Sequence, residues 1–169
     1  MGNQELALFL AHSVELESEA RERYEELADA MAQHHNAEAA AFFERMAREA
    51  SQHLADVESM VGQASLPVLK AWEFRWPRAE APESTSYEAV HYRMSLREAM
   101  SLALANEREA EQYYRQVAVG SDDPETRRIA GAFADEEASH AAALEKLLAQ
   151  LPAAPEHARE EDDEPHLPL

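Results

Sequence analysis

Residues 107–118 read EREAEQYYRQVA and residues 17–28 read ESEARERYEELA, and the two stretches share one pattern. A Glu opens each (Glu17, Glu107), an Ala follows (Ala20, Ala110), then a Tyr (Tyr24, Tyr114) and a second Ala (Ala28, Ala118). The steps between them are three or four residues, which holds one face of an α-helix, whereas a strand would throw them onto both faces. A second pair of segments repeats in the same way. With His53 set over His140, Met46 falls on Phe133, Ala47 on Ala134, Glu49 on Glu136, Val57 on Leu144 and Met60 on Leu147. The chain therefore reads as two related helix pairs.

Composition agrees with an all-α fold. The 169 residues are 46% hydrophobic, with four Gly, which suits one domain with a sizeable core. Ala, Glu, Leu and Arg, all strong helix formers, are abundant, and nothing alternates with period two. A net charge of −19 argues against nucleic acid, whose binders rely on Lys and Arg, and against an anionic membrane surface. With no Cys, disulfides, thiolate metal sites and Cys nucleophiles are excluded. The opening MGNQELALFLAHSVELE has no basic region before a short apolar run, so neither a signal peptide nor a membrane span is expected, and the default location is cytoplasmic.

Apolar spacing predicts helices from about Asn3 to Gln33, from about Ala37 to Val61 with Gly62 as cap, from near Ser95 to Gly120, and from the cap Asp122 or Asp123 to the breaker Pro152. Between the second and third, about 63–93, the pattern dissolves among prolines and aromatics, including Trp72, Phe74 and Trp76. That span is too long for a tight turn and is the right size for a crossover along a bundle. Its aromatics are expected to pack on the bundle or on a second subunit. Residues 1–151 are thus expected to form one ferritin-like four-helix bundle, two helical hairpins joined by a long crossover. Residues 152–169 form an acidic, proline-rich tail expected to be disordered.

Several acids keep apolar company. Glu17 lies one turn from Val14, Glu107 follows Leu104, Glu137 follows Phe133, and His140 precedes Leu144. Buried carboxylates cost several kcal/mol each unless protonated, ion-paired or bound to metal. Glu and His converging from four helices make metal the economical solution, and oxygen and imidazole ligands without sulfur suit iron or manganese, with zinc also possible. The fourth helix carries Glu-x-x-His (Glu137, His140), whereas the second reads REASQH, with Ala50 three before His53 and Glu49 four before. Three and four residues back share a helix face, so Glu49 could serve with His53. Charge favours this, since Glu17, Glu49, Glu107 and Glu137 neutralise two divalent cations. Against it, Glu49 aligns with Glu136, which the intact half does not need.

ESEARERY with Glu17, LANEREAEQYY with Glu107 and FADEEASH with Glu137 and His140 resemble the motifs of the rubrerythrin-type, ferritin-like di-iron proteins; AREASQH with His53 matches in part. The resemblance covers about residues 3–150. It implies two iron ions at the bundle centre that react with peroxide or dioxygen, Tyr24 and Tyr114 bonded to ligand carboxylates, and a homodimer or higher homo-oligomer. Lacking Cys, the chain departs from relatives with a rubredoxin-like domain, so a separate electron-donor protein is implied. Ala50 is the other departure and bears on the second iron. The rival expectation is a non-catalytic metal-binding or assembly protein with a degenerate site. His12, His34, His35 and His91 have no matched acid and are expected at the surface or boundary, with Glu15, Glu19, Glu109 and Glu111 solvated.

Overall fold

The computed structural model describes residues 2–61 and 92–152. They form four helices: α1 (Gly2–Gln33), α2 (Ala37–Val61), α3 (Leu96–Gly120) and α4 (Pro124–Gln150). No strand occurs among the described residues. Each boundary falls within about two residues of its expected place, because the local signals are strong there. Ser95 caps α3 by accepting from the Glu98 amide, and Asp123 caps α4 by accepting from the Thr126 amide, with Pro124 in the first turn. Most of the expected crossover (62–91) and the tail beyond Pro152, with His91 and the aromatics Trp72, Phe74 and Trp76, lie outside the described residues.

The α1–α2 turn shows how the hairpin closes. His35 takes the left-handed conformation (φ 61), and the amides of His35 and Asn36 bond back to the Ala32 and Met31 carbonyls at 3.1 and 2.8 Å. This arrangement satisfies the last helical carbonyls where Gly usually stands. Asn36 then caps α2 through the Ala39 amide and donates to the Met94 carbonyl at 2.8 Å, which ties the turn to the start of α3.

α1 packs chiefly on α2 and α3 on α4. Two apolar clusters fill the ends of the bundle. One gathers Tyr24, Met31, Phe43, Met46, Met94 and Met100; the other gathers Phe9, Leu16, Val57, Tyr114, Ile129 and Phe133. Full burial of a side chain such as Phe43 contributes roughly 1.5–3 kcal/mol. The clusters also give the topology. α2 ends beside Phe9 and Ile129, whereas α3 begins beside Met31, at the opposite end. The described chain therefore stops at one end of the bundle and resumes at the other, as a ferritin-like bundle of two hairpins requires. On every helix a polar group interrupts the apolar stripe between the two clusters: Glu17 after Leu16, His53 before Val57, Glu107 before Tyr114, Glu137 after Ala134.

Candidate metal centre

These interruptions meet at the middle of the bundle. Glu17 and Glu137 are 2% exposed, Glu107 5% and His53 8%, although each could reach water by facing outward. They face inward because the residues one turn either side are apolar and buried, so the helix cannot rotate one without exposing the others. His53 stands at the focus. Its Nδ1 is 3.5 Å from Glu17 Oε2 and 3.2 Å from Glu137 Oε1, and its Nε2 is 3.2 Å from Glu136 Oε1. The His140 ring stacks on it with centroids 4.6 Å apart, and His140 Nδ1 is 3.8 Å from Glu107 Oε2. Tyr114, wholly buried, donates its hydroxyl to Glu17 Oε1 at 2.9 Å. Tyr24, its counterpart on α1, is buried against Phe43 with ring centroids 6.2 Å apart.

The electrostatics are those of acids crowded in a dry place. Burial pushes the Glu137 carboxyl well above the usual carboxylate range, and its contact with Glu107 and the charges of Glu107, Glu17 and Glu136 push the same way. Glu107 suffers the same burial, yet contacts with Glu137 and His140 hold it below that range. His140 is raised, first by its bond to Glu107, against burial and the neighbouring His53. The cluster thus holds protons where a cation could replace them.

The donor set fits a cation. Ligand atoms of His53, Glu137 and His140 lie within 4.8 Å of one another, close enough to share one ion. Glu137 Oε2 is buried and meets no hydrogen-bond donor, which is costly for a carboxylate and is relieved by a metal. Glu17 and Glu107 add carboxylates from the other two helices, so oxygen and imidazole nitrogen make up the whole set.

Of the sequence-derived candidates, Glu17, His53, Glu107, Glu137 and His140 come together. Glu49 stands apart: its side chain is 44% exposed and 4.0 Å from Arg45, while its charge reaches His140. The acid that touches His53 from outside is Glu136, on α4. The repeat carried that signal, since Glu136 aligns with Glu49, but not which histidine each would reach. Ala50, buried at 6%, occupies on α2 the position that Glu137 holds on α4. His12, expected at the surface or boundary, is buried at 7%, whereas His34 and His35 are exposed. Glu111 joins Arg108 at 2.8 Å on the outside of α3 rather than the cluster.

The family model described as Rubrerythrin matches residues 9–148 and again 98–165. A crystal structure of an uncharacterized conserved protein from Magnetospirillum magnetotacticum MS-1 is similar at 38% identity, covering 88% of this chain and 97% of that one, with a TM-score of 0.66. No curated protein matches the sequence. Among the described residues no helix is long and apolar enough to cross a membrane.

Proposed function

The chain belongs to the rubrerythrin family, and from that premise we propose that it is a non-haem iron protein that binds two iron ions between its helices and reduces peroxide or dioxygen. The observation that carries this reading is the convergence of the buried Glu17, His53, Glu107 and Glu137 with the partly exposed His140, with Glu137 Oε2 lacking any donor. Iron held by these residues would supply electron transfer, and the oxidation of two ferrous ions would balance the reduction of one hydrogen peroxide with two protons to two waters.

The chain's own residues prepare that step. Tyr114 fixes Glu17 by donating to Oε1, which leaves Oε2 toward His53 Nδ1. The apolar clusters on both sides exclude water and strengthen every charge interaction between them. His140 Nδ1 faces Glu107 Oε2 at 3.8 Å, which would hold the two side chains beside a bound ion. In this reading a separate donor protein would supply the electrons that the reaction consumes. The functional unit in this reading is a cytoplasmic homo-oligomer.

A second reading rests on Ala50. Where pseudo-symmetry places a carboxylate, α2 presents a methyl group, and a site short of one acid suits a single ion held without catalysis. Metal content per chain separates the two readings, measured on protein expressed with iron and never exposed to chelator. Near two irons per chain, with the near-ultraviolet absorbance of an oxo-bridged ferric pair and both lost in Glu137→Ala, supports the redox reading. One ion or none, or a colourless zinc site, overturns it.

A further inference from the structure

Glu49 and Glu136 hold the same place in the repeat, one on α2 and one on α4, yet neither belongs to the buried set. Their side chains are 44% and 42% exposed. Each attends the histidine of the other hairpin. Glu136 Oε1 lies 3.2 Å from the buried Nε2 of His53, and the Glu49 charge reaches His140. The centre has few other ways in. Apolar clusters close it toward both ends of the bundle, and the side chains of Glu17, Glu107 and Glu137 are 7% exposed or less. Of the five converging residues His140 is the most open to water, at 28%. A cation arriving from solvent therefore meets the centre at the stacked histidines, between the two exposed acids. Behind them Glu137 Oε2, buried and without a donor, is a destination able to replace the ion's water.

We infer that Glu49 and Glu136 are the cation entry of this centre: they draw a hydrated divalent cation to the histidine pair and pass it inward, without remaining among its ligands. Carboxylates at the mouth of a low-dielectric cleft raise the local concentration of cations and the rate at which they arrive. They also compete with water for the ion, so its hydration is shed over several contacts instead of one. Exposure suits this role, since a side chain free to move in solvent can take up an ion and release it. Arg45, 4.0 Å from Glu49 in an exposed pair, holds that acid only weakly. Asp135, next to Glu136, is the contrast, because it is engaged by Arg115 at 3.0 Å. A shared entry role accounts for an acid at both 49 and 136 although the two halves differ at Ala50 and Glu137. The inference rests on the reading of this cluster as a metal centre.

The test is rapid mixing of the metal-free full-length chain with cobalt(II), followed by visible absorbance, and then release of the ion to excess chelator. Wild type, Glu49→Gln, Glu136→Gln, the double variant and Asp135→Asn are compared at low and high ionic strength. The double variant is expected to take up cobalt about 10-fold more slowly at low salt. Release slows with it, so affinity and stoichiometry stay near wild type, because a route alters how fast an equilibrium is reached and not where it lies. Each single variant shows part of the effect, and higher ionic strength shrinks it. Asp135→Asn, which removes the same charge one residue away, keeps wild-type rates. Wild-type uptake in the double variant, or an equal slowing in Asp135→Asn, overturns the entry role alone. Faster release with lost affinity also overturns it, by making the two acids ligands. Failure of the wild type to bind cobalt overturns the metal-centre reading and this inference with it.

Discussion

The α1–α2 half and the α3–α4 half repeat the same packing but not the same chemistry. Tyr24 and Tyr114 are both buried, as are Ala20 and Ala110, Met46 and Phe133, Ala47 and Ala134. The repeat keeps its carboxylate at Glu17 and Glu107, but at a second carboxylate position α4 has Glu137 and α2 has Ala50, both buried. The lesson is that a helical stripe is held by many small apolar contributions, while a buried acid answers to a single purpose. Packing tolerates Ala50 well, since Ala favours helix and leaves no polar group to satisfy. Glu137 is costly to bury and repays that cost only if something positive meets it.

The comparison can be broken most directly at Glu137. Glu137→Ala is expected to weaken metal retention by more than the roughly 10–100-fold loss typical of an outer partner, while leaving the metal-free chain as stable or more stable. Metal analysis and thermal melting of the two forms check this, and a fall in both would mean that Glu137 serves the fold instead. The reverse change, Ala50→Glu, makes the halves alike. It should lower metal-free stability by about 3 kcal/mol, by burying a new carboxylate, and raise the metal content per chain. Chemical denaturation with and without iron measures the difference.

Acidity sharpens the same contrast. Glu137 and His140 are both raised in the folded state, so their contributions are complete below their ordinary values of 4.5 and 6.5 and are lost as pH climbs through the folded values. Glu107 is lowered, so its contribution is present above 4.5 and is lost as pH falls through its folded value. The metal-free protein should therefore be most stable at mildly acidic pH and weaken as pH climbs through the folded values of Glu137 and His140, and a bound divalent cation should flatten that decline. Melting curves across pH, with and without metal, decide it.

Smaller effects test whether the halves are equally well built. Tyr114→Phe removes a hydroxyl from the buried Glu17 carboxylate and should cost about 1.5–3 kcal/mol in the metal-free chain, the worth of a hydrogen bond to a charged group. Capping should be even-handed. Asp123→Ala on α4 and Asn36→Ala at the α1–α2 turn should each cost about 1 kcal/mol, with Asn36 the larger if its bond to Met94 adds to the cap. Denaturant midpoints of the two variants make the comparison.

Much of this was legible in the residues themselves. Helix ends were readable because caps are local: Ser95 with Glu98, and Asp123 with Thr126, act within one turn. The inward direction of Glu17, Glu107 and Glu137 followed from their apolar neighbours one turn away, since a helix face is set by spacing alone. His12 was misjudged because its burial depends on what α1 is packed against, which its own helix does not record.

The sequence by itself thus determined four helices and their pairing by repeat, and it named six ligand candidates of which five come together and Glu49 does not, because periodicity and capping are properties of nearby residues. Only the tertiary structure decided which acid meets which histidine. Glu49 and Glu136 occupy the same place in the repeat, yet Glu136 reaches across to His53, whereas Glu49 lies beside Arg45 on its own helix. Contacts between helices depend on the angle and offset at which two stripes interlock. Those are set by the summed packing of both clusters, not by any residue read along one chain segment.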